Sequence, residues 1–193
     1  MLSPKDIDIL KHKLEEYEGK KPYMYLDSKG LVTVGVGIYL PNINSALKMK
    51  FRVASGRLAT KEEIIRDFNS IQKQPKGRVA EYYKRFVELH ISNSDIDTLT
   101  KHHINSFQKE LIKVFPEYPT FPNEAKMALL DLIFNVGMTN LNTQWPRLKK
   151  AVLNKNWEKA AQESNRKYPI PPERNNYVKN LFEKAAKKNQ TLN

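Results

Sequence analysis

Apolar residues recur at helical spacing over most of the chain, and the pattern is interrupted near the N-terminus by one short stretch of strand-like alternation. Ile7, Leu10, Leu14 and Tyr17 share one helix face. Ser3 is placed to cap that helix, with Pro4 at its first position and Asp6 in its first turn, so it should run to Glu18 and stop at Gly19. The period then drops to two. Tyr23 to Leu26 and Leu31 to Val36 read as the strands of a hairpin joined by the turn Asp27-Ser28-Lys29-Gly30, and Pro41-Asn42 breaks the strand that continues through Ile38 to Leu40. The segment from Asn44 to Gly56 admits a short helix or one more strand.

Helical spacing returns over Lys61 to Gln72, opened by a capping box of Thr60 and Glu63, and Val79, Tyr82, Phe86 and Val87 mark a further short helix. After the cap at Ser92 to Asp95, Ile96, Leu99, Ile104, Phe107, Leu111 and Val114 extend along about six turns, ended by Phe115-Pro116. Pro119 to Pro122 reads as an extended link, with Asn123 capping a helix from Glu124 to Val136. That helix is apolar on all sides from Met127 to Phe134 and should be central and buried. Gly137 stops it, Trp145-Pro146 and Trp157 open two more, and Pro169 to Pro172 space off the last. There Tyr177, Val178, Leu181, Phe182 and Ala185 form the inward stripe, and the tail from Lys187 should fray. The pattern predicts an α+β, predominantly helical chain in which a small lobe holds a hairpin and is tied to a helical lobe.

Composition narrows the function classes. At 193 residues and 22.5 kDa the chain can form one large domain or two small lobes. It has no apolar run near the length of a membrane span, so stable membrane insertion is not expected. The N-terminus enters charged residues without an apolar core segment, so we expect synthesis in the cytoplasm without a secretory signal. Cysteine is absent, which excludes disulfides and thiolate chemistry. The four histidines, His12, His90, His102 and His103, match no zinc spacing, and neither metal nor other cofactor is expected. A net charge of +12 calls for a polyanionic partner, and nucleic acid, lipid headgroups and the anionic bacterial envelope all qualify.

The stretch from Glu18 to Gly37 carries the chemistry. A carboxylate at a helix C-terminus faces the negative end of the helix dipole, and an apolar flank such as Tyr17 disfavours ionisation further, which makes Glu18 the candidate proton donor. Asp27 sits in a polar turn beside a serine hydroxyl and should ionise more readily. Two carboxyl groups whose surroundings push their pKa values apart mark an acid and a base. Thr33 lies on the returning strand, sharing a face with Leu31 and Gly35, where its hydroxyl can reach the turn while the glycines leave room for a ligand. Among 21 Asp and Glu residues one such pair means little. The full pattern Glu-x8-Asp-x2-Gly-x2-Thr-x-Gly-x-Gly would arise by chance in a chain this long on the order of once in 10^5 sequences.

This segment resembles the active-site region of the T-even phage lysozymes, glycoside hydrolase family 24, and Glu18, Asp27 and Thr33 fall without a gap on that family's catalytic Glu, Asp and Thr. The resemblance continues in MALLDLIFNVG, Met127 to Gly137, similar to the family's central helix, and in NWEKAAQES and PPERNNYVKNLF. The LPN run after the hairpin, ESNR and RNNYVKNLF look closest to lysozyme-like domains of bacterial toxins and secretion effectors. Residues 41 to 90 look like an insertion relative to the phage enzymes.

The resemblance implies a single lysozyme-like domain over 1 to 193 with a long central helix. Its small lobe would span about 15 to 90, and its helical lobe 1 to 14 with 91 to 193. It implies a muramidase cleaving the β-1,4 bond between N-acetylmuramic acid and N-acetylglucosamine in bacterial peptidoglycan. Glu18 would be the acid and Asp27 the base, with Thr33 holding the attacking water, which points to inversion. Tyr39, Phe134, Asn135 and Arg174 would bind substrate, Arg174 approaching the catalytic Glu. We further expect a monomer acting in the periplasm or cell wall after release or delivery, as an endolysin or an antibacterial effector, with an immunity or inhibitor protein as a possible partner. No nucleic acid partner is expected.

The competing classes have less behind them. Gly35-Val36-Gly37 could open a dinucleotide fingerprint, but its third glycine would fall on Leu40, and neither a phosphate loop nor a G-x-S-x-G elbow occurs. Nucleic-acid binding draws on the positive charge and Tyr82-Tyr83, yet Lys and Arg are spread over nearly every helix. A membrane-active reading rests on the Lys-rich last helix, whose apolar side suits packing.

Overall fold

The structure is a computed structural model and describes residues 1–190. Among these, ten α-helices, two 3-10 turns and one three-stranded antiparallel sheet make a predominantly helical α+β fold. The chain divides into two units, one of Lys13–Lys101 and one of Met1–His12 with His102–Asn193.

Helix α1 (Pro4–Glu18) begins where the sequence marks it. The Ser3 hydroxyl accepts from the Asp6 N–H at 3.2 Å and donates to the Asp6 carboxylate at 2.7 Å. At the other end Gly19 adopts φ +75° and its N–H closes on Glu15 O, the left-handed stop that a residue with a Cβ resists.

In the Lys13–Lys101 unit the sheet comprises β1 (Lys21–Leu26), β2 (Val32–Gly35) and β3 (Ile38–Tyr39) in that order. Leu26 pairs with Val32 and Val34 with Ile38 on a face that is buried throughout. Tyr25, Thr33 and Tyr39 form a cross-strand row on the opposite face. The stretch open to helix or strand holds α2 (Ile43–Leu47), because Asn42 and Ser45 form a capping box there. Helix α3 (Lys61–Gln72) has the expected bounds and the expected Thr60/Glu63 box. The Glu63 carboxyl is held down at about 2, first by the Arg57 guanidinium and then by the Thr60 N–H. Buried Asp67 accepts the N–H groups of Glu88 and Leu89 and so fastens that strap to α3.

Helix α4 (Ala80–Tyr83) runs into a 3-10 turn, Lys84–Phe86. Tyr83, rather than Tyr82, is turned fully inward, and its hydroxyl donates to Pro75 O at 2.8 Å. Helix α5 (Asn93–Val114) starts at the Ser92 cap and belongs to this unit as far as Lys101.

The other unit takes the rest of α5, then α6 (Asn123–Val136), α7 (Met138–Gln144), α8 (Pro146–Leu153), α9 (Trp157–Glu163) and α10 (Pro172–Gln190). As expected, α6 is buried along its length from Ala125 to Ile133, and α10 packs on both α6 and α9. Trp157 stacks on Phe182 with centroids 6.3 Å apart and meets the edge of Phe121 at 4.9 Å. Three expectations need correction. Asn123 is the first residue of α6 instead of its cap, and its amide donates to Asp6. The supposed extended link contains a 3-10 turn at Tyr118–Thr120, and α7 fills what reads in sequence as a loop. The last helix holds through Gln190; the rest of the tail expected to fray lies outside the described residues.

Candidate active site

Four of the seven proposed site residues, Glu18, Asp27, Thr33 and Tyr39, belong to the Lys13–Lys101 unit. Glu18 is the final residue of α1, and the chain reverses at Gly19 straight into β1. Its carboxylate is aimed at the turn between β2 and β3. A Cβ built on Gly37 would lie 4.0 Å from Glu18 Oε2, and Gly37 holds φ +66°. Gly35 plays a different part from the one expected: a Cβ there would meet Ile96 Cγ2 at 3.3 Å, so it makes room for a packed side chain rather than for a ligand.

Asp27 heads the hairpin turn, and one carboxylate oxygen, Oδ1, accepts from the N–H groups of Lys29 at 2.9 Å and Leu31 at 2.8 Å. These bonds fix the carboxylate and leave Oδ2 without a hydrogen bond from the described residues. Thr33 is 2 % exposed, and its hydroxyl donates to Leu31 O at 2.9 Å. With its hydrogen so committed, Thr33 Oγ1 is left to accept.

Tyr25 is the member that sequence reasoning missed. It is buried, pairs across the sheet with Thr33 and precedes Asp27 by two, hence on the same side of the strand. Its phenol is pushed well above the usual tyrosine range, first by burial and then by the negative charges of Glu18 and Asp27. Both carboxylates therefore act on one side chain. The period-two position beside Asp27 was the available signal. Tyr39, opposite Thr33 on β3, is 47 % exposed and borders a cavity of about 340 Å³ with Gly30, Leu31 and Gln72.

The remaining three lie in the other unit. Phe134, on α6, is half-buried with its ring edge-on to Phe107 at 5.0 Å and tilted against His103 at 6.3 Å. Burial holds the His103 imidazole below its usual range, partly offset by Glu110. Asn135 and Arg174 join a buried network around Asp131. Arg174 Nε lies 3.1 Å from both Asp131 oxygens, while Arg166 Nη1 reaches Asp131 at 2.8 Å and Asn135 Oδ1 at 3.3 Å. Asn175 accepts from Arg166 and returns a bond to its carbonyl. Asp131, Arg166 and Asn175 carried no sequence signal, since their partners are remote in the chain.

Among the described residues no group of three His, Cys, Asp or Glu is disposed to hold a metal ion, and no helix is long and apolar enough to cross a membrane. The constellation offers acid/base chemistry on a polar bond: two carboxyl groups, an accepting hydroxyl and a neutral phenol. No curated protein matches the chain. The family model for phage lysozyme matches residues 15–169, which include every side chain named here except Arg174 and Asn175. The chain thus belongs to the phage lysozyme family, a membership that supports a role as a peptidoglycan muramidase.

Proposed function

We propose that this protein hydrolyses the β-1,4 bond between N-acetylmuramic acid and N-acetylglucosamine, with Glu18 protonating the leaving oxygen and Asp27 taking a proton from the attacking water. The observation that carries the reading is the shared hairpin: Glu18 aimed at Gly37, Asp27 fixed by Leu31, and Tyr25 under the field of both acids. Thr33, accepting from the same water, favours direct displacement with inversion, for which the two carboxyl groups stand about 6.5 to 9.5 Å apart. Tyr39 and Phe134 would offer aromatic faces to sugar rings and Asn135 a hydrogen bond to a substituent, while Arg174, 3 % exposed and paired with Asp131, would serve binding indirectly. A protein with +12 net charge is drawn to the anionic wall, where release or delivery would bring it as a lytic or antibacterial agent.

The test is digestion of purified peptidoglycan by wild type and Glu18→Gln. Wild type should release muramic acid reducing ends in the α-anomeric form first. Glu18→Gln should fold normally and lose at least about 10²- to 10⁴-fold in rate. Full turbidity loss with Glu18→Gln, or glucosamine reducing ends, would sink the assignment.

A further inference from the structure

Between Lys73 and Arg85 the chain carries five cations, Lys73, Lys76, Arg78, Lys84 and Arg85, all exposed. Among the described residues none of the five has a carboxylate partner; the segment's one acid, Glu81, is engaged by Lys21. Elsewhere in this unit Lys20, Arg57 and Arg66 are ion-paired, and Lys29, Lys48, Arg52 and Lys61, which have no ion pair among the described residues, are spread along the chain rather than gathered in one run. The segment is also spatially organised. The guanidinium groups of Arg78 and Arg85 lie 5.6 Å and 4.3 Å from the ring centroid of Tyr82, so the aromatic face holds two planar forks together. At one end the stem of Lys76 rests on the hairpin turn headed by Asp27, since a Cβ on Gly30 would lie 3.1 Å from Lys76 Cδ. At the other end Lys84 borders a cavity of about 590 Å³ with Lys20, Lys21 and His90. That volume falls in the range of ligand cavities, about 300 to 1,000 Å³.

Unpaired exposed cations repel one another and stabilise no fold; they are useful when an anion arrives. From this we infer that residues 73–85 form a docking strip for the carboxylate-bearing stem peptides of peptidoglycan. The inference rests on the muramidase reading and extends it from the glycan to the peptides. The Lys76 contact favours this partner over a separate polyanion, because it sets the strip against the turn that carries Asp27. Arg78 and Arg85 match carboxylates in planar geometry. The strip recognises charge and spacing, leaving sequence in the peptide unread.

The experiment measures binding, without turnover, using full-length Glu18→Gln protein as the parent. Its affinity is compared for intact sacculi and for sacculi stripped of stem peptides by an amidase, with anionic vesicles and duplex DNA as further arms. Intact sacculi should bind more tightly, with an affinity that falls as salt rises. Replacing all five cations by Gln should cut that affinity by about tenfold or more and leave binding to stripped glycan close to the parent's. Arg78→Gln/Arg85→Gln, which leaves the lysines in place, should show a smaller loss of the same kind. Equal binding of parent and variants to intact sacculi would overturn the strip, as would a loss confined to vesicles or DNA. Failure of wild type to cleave glycan would remove the muramidase reading separately, because the binding assay is independent of cleavage.

Discussion

Asp27 and Thr33 are joined through a single residue: the Leu31 N–H bonds the Asp27 carboxylate at 2.8 Å, and the Leu31 carbonyl takes the Thr33 hydroxyl hydrogen at 2.9 Å. The proposed base and the hydroxyl proposed to accept from the water are thus set by one peptide segment, and neither can shift without the other. Thr33→Ser keeps the hydroxyl and should retain most activity. Thr33→Ala removes the acceptor and should lower kcat by about tenfold to hundredfold with little change in KM. Steady-state kinetics on soluble glycan fragments decides the matter; a serine variant as poor as alanine would show that the hydroxyl is not what counts.

The buried network in the other unit sets up a stability experiment. Asp131 is fully buried and faces two guanidinium groups, from Arg166 and Arg174. Asp131→Asn is nearly isosteric but removes the carboxylate that faces both guanidinium groups. Breaking such a buried pair by removing one partner costs about 3 to 5 kcal/mol. Urea unfolding followed by circular dichroism measures it, and a loss below about 1 kcal/mol would contradict a stabilising role for the network.

Stability should fall at both ends of the pH scale for separate reasons. His103 is half-buried against Phe107 and Phe134 and resists protonation in the folded state, whereas the unfolded imidazole takes up a proton near pH 6.5. Its contribution is therefore present above about pH 6.5 and is lost as pH falls through the lower folded value. Tyr25 and Tyr118 are raised, chiefly by burial, so they remain neutral when folded after the unfolded phenols begin to ionise near pH 10. Their contribution is present below about pH 10 and is lost as pH rises through the higher folded values. Denaturation midpoints measured across pH should decline on both sides. His103→Phe should flatten the acid limb and Tyr118→Phe the alkaline one, and unchanged limbs would refute the assignment.

Much of the fold could be read where a local cap and a local stripe agree. Helix α3 has its expected ends because Thr60 and Glu63 satisfy each other's backbone, and α1 stops at Glu18 because Gly19 alone there tolerates the left-handed turn. What escaped depends on neighbours far along the chain. Asn123 looks like a cap until Asp6, from the other end of the sequence, takes its amide. Tyr83, rather than Tyr82, points inward, where its hydroxyl finds the Pro75 carbonyl. Tyr25 gains its place through strand register, and Arg166, in the loop after α9, through a carboxylate on α6. The Glu18, Asp27 and Thr33 pattern could be read because it occupies one helix end and one hairpin.

That compactness along the chain has an evolutionary and practical corollary. The proposed acid and base, Thr33 and the tyrosines beside them descend as one uninterrupted block from Glu18 to Tyr39, so recombination can carry this proposed acid/base pair together into a different scaffold. New chain ends opened by circular permutation at the exposed bend around Gly56 would leave every covalent link within that block intact.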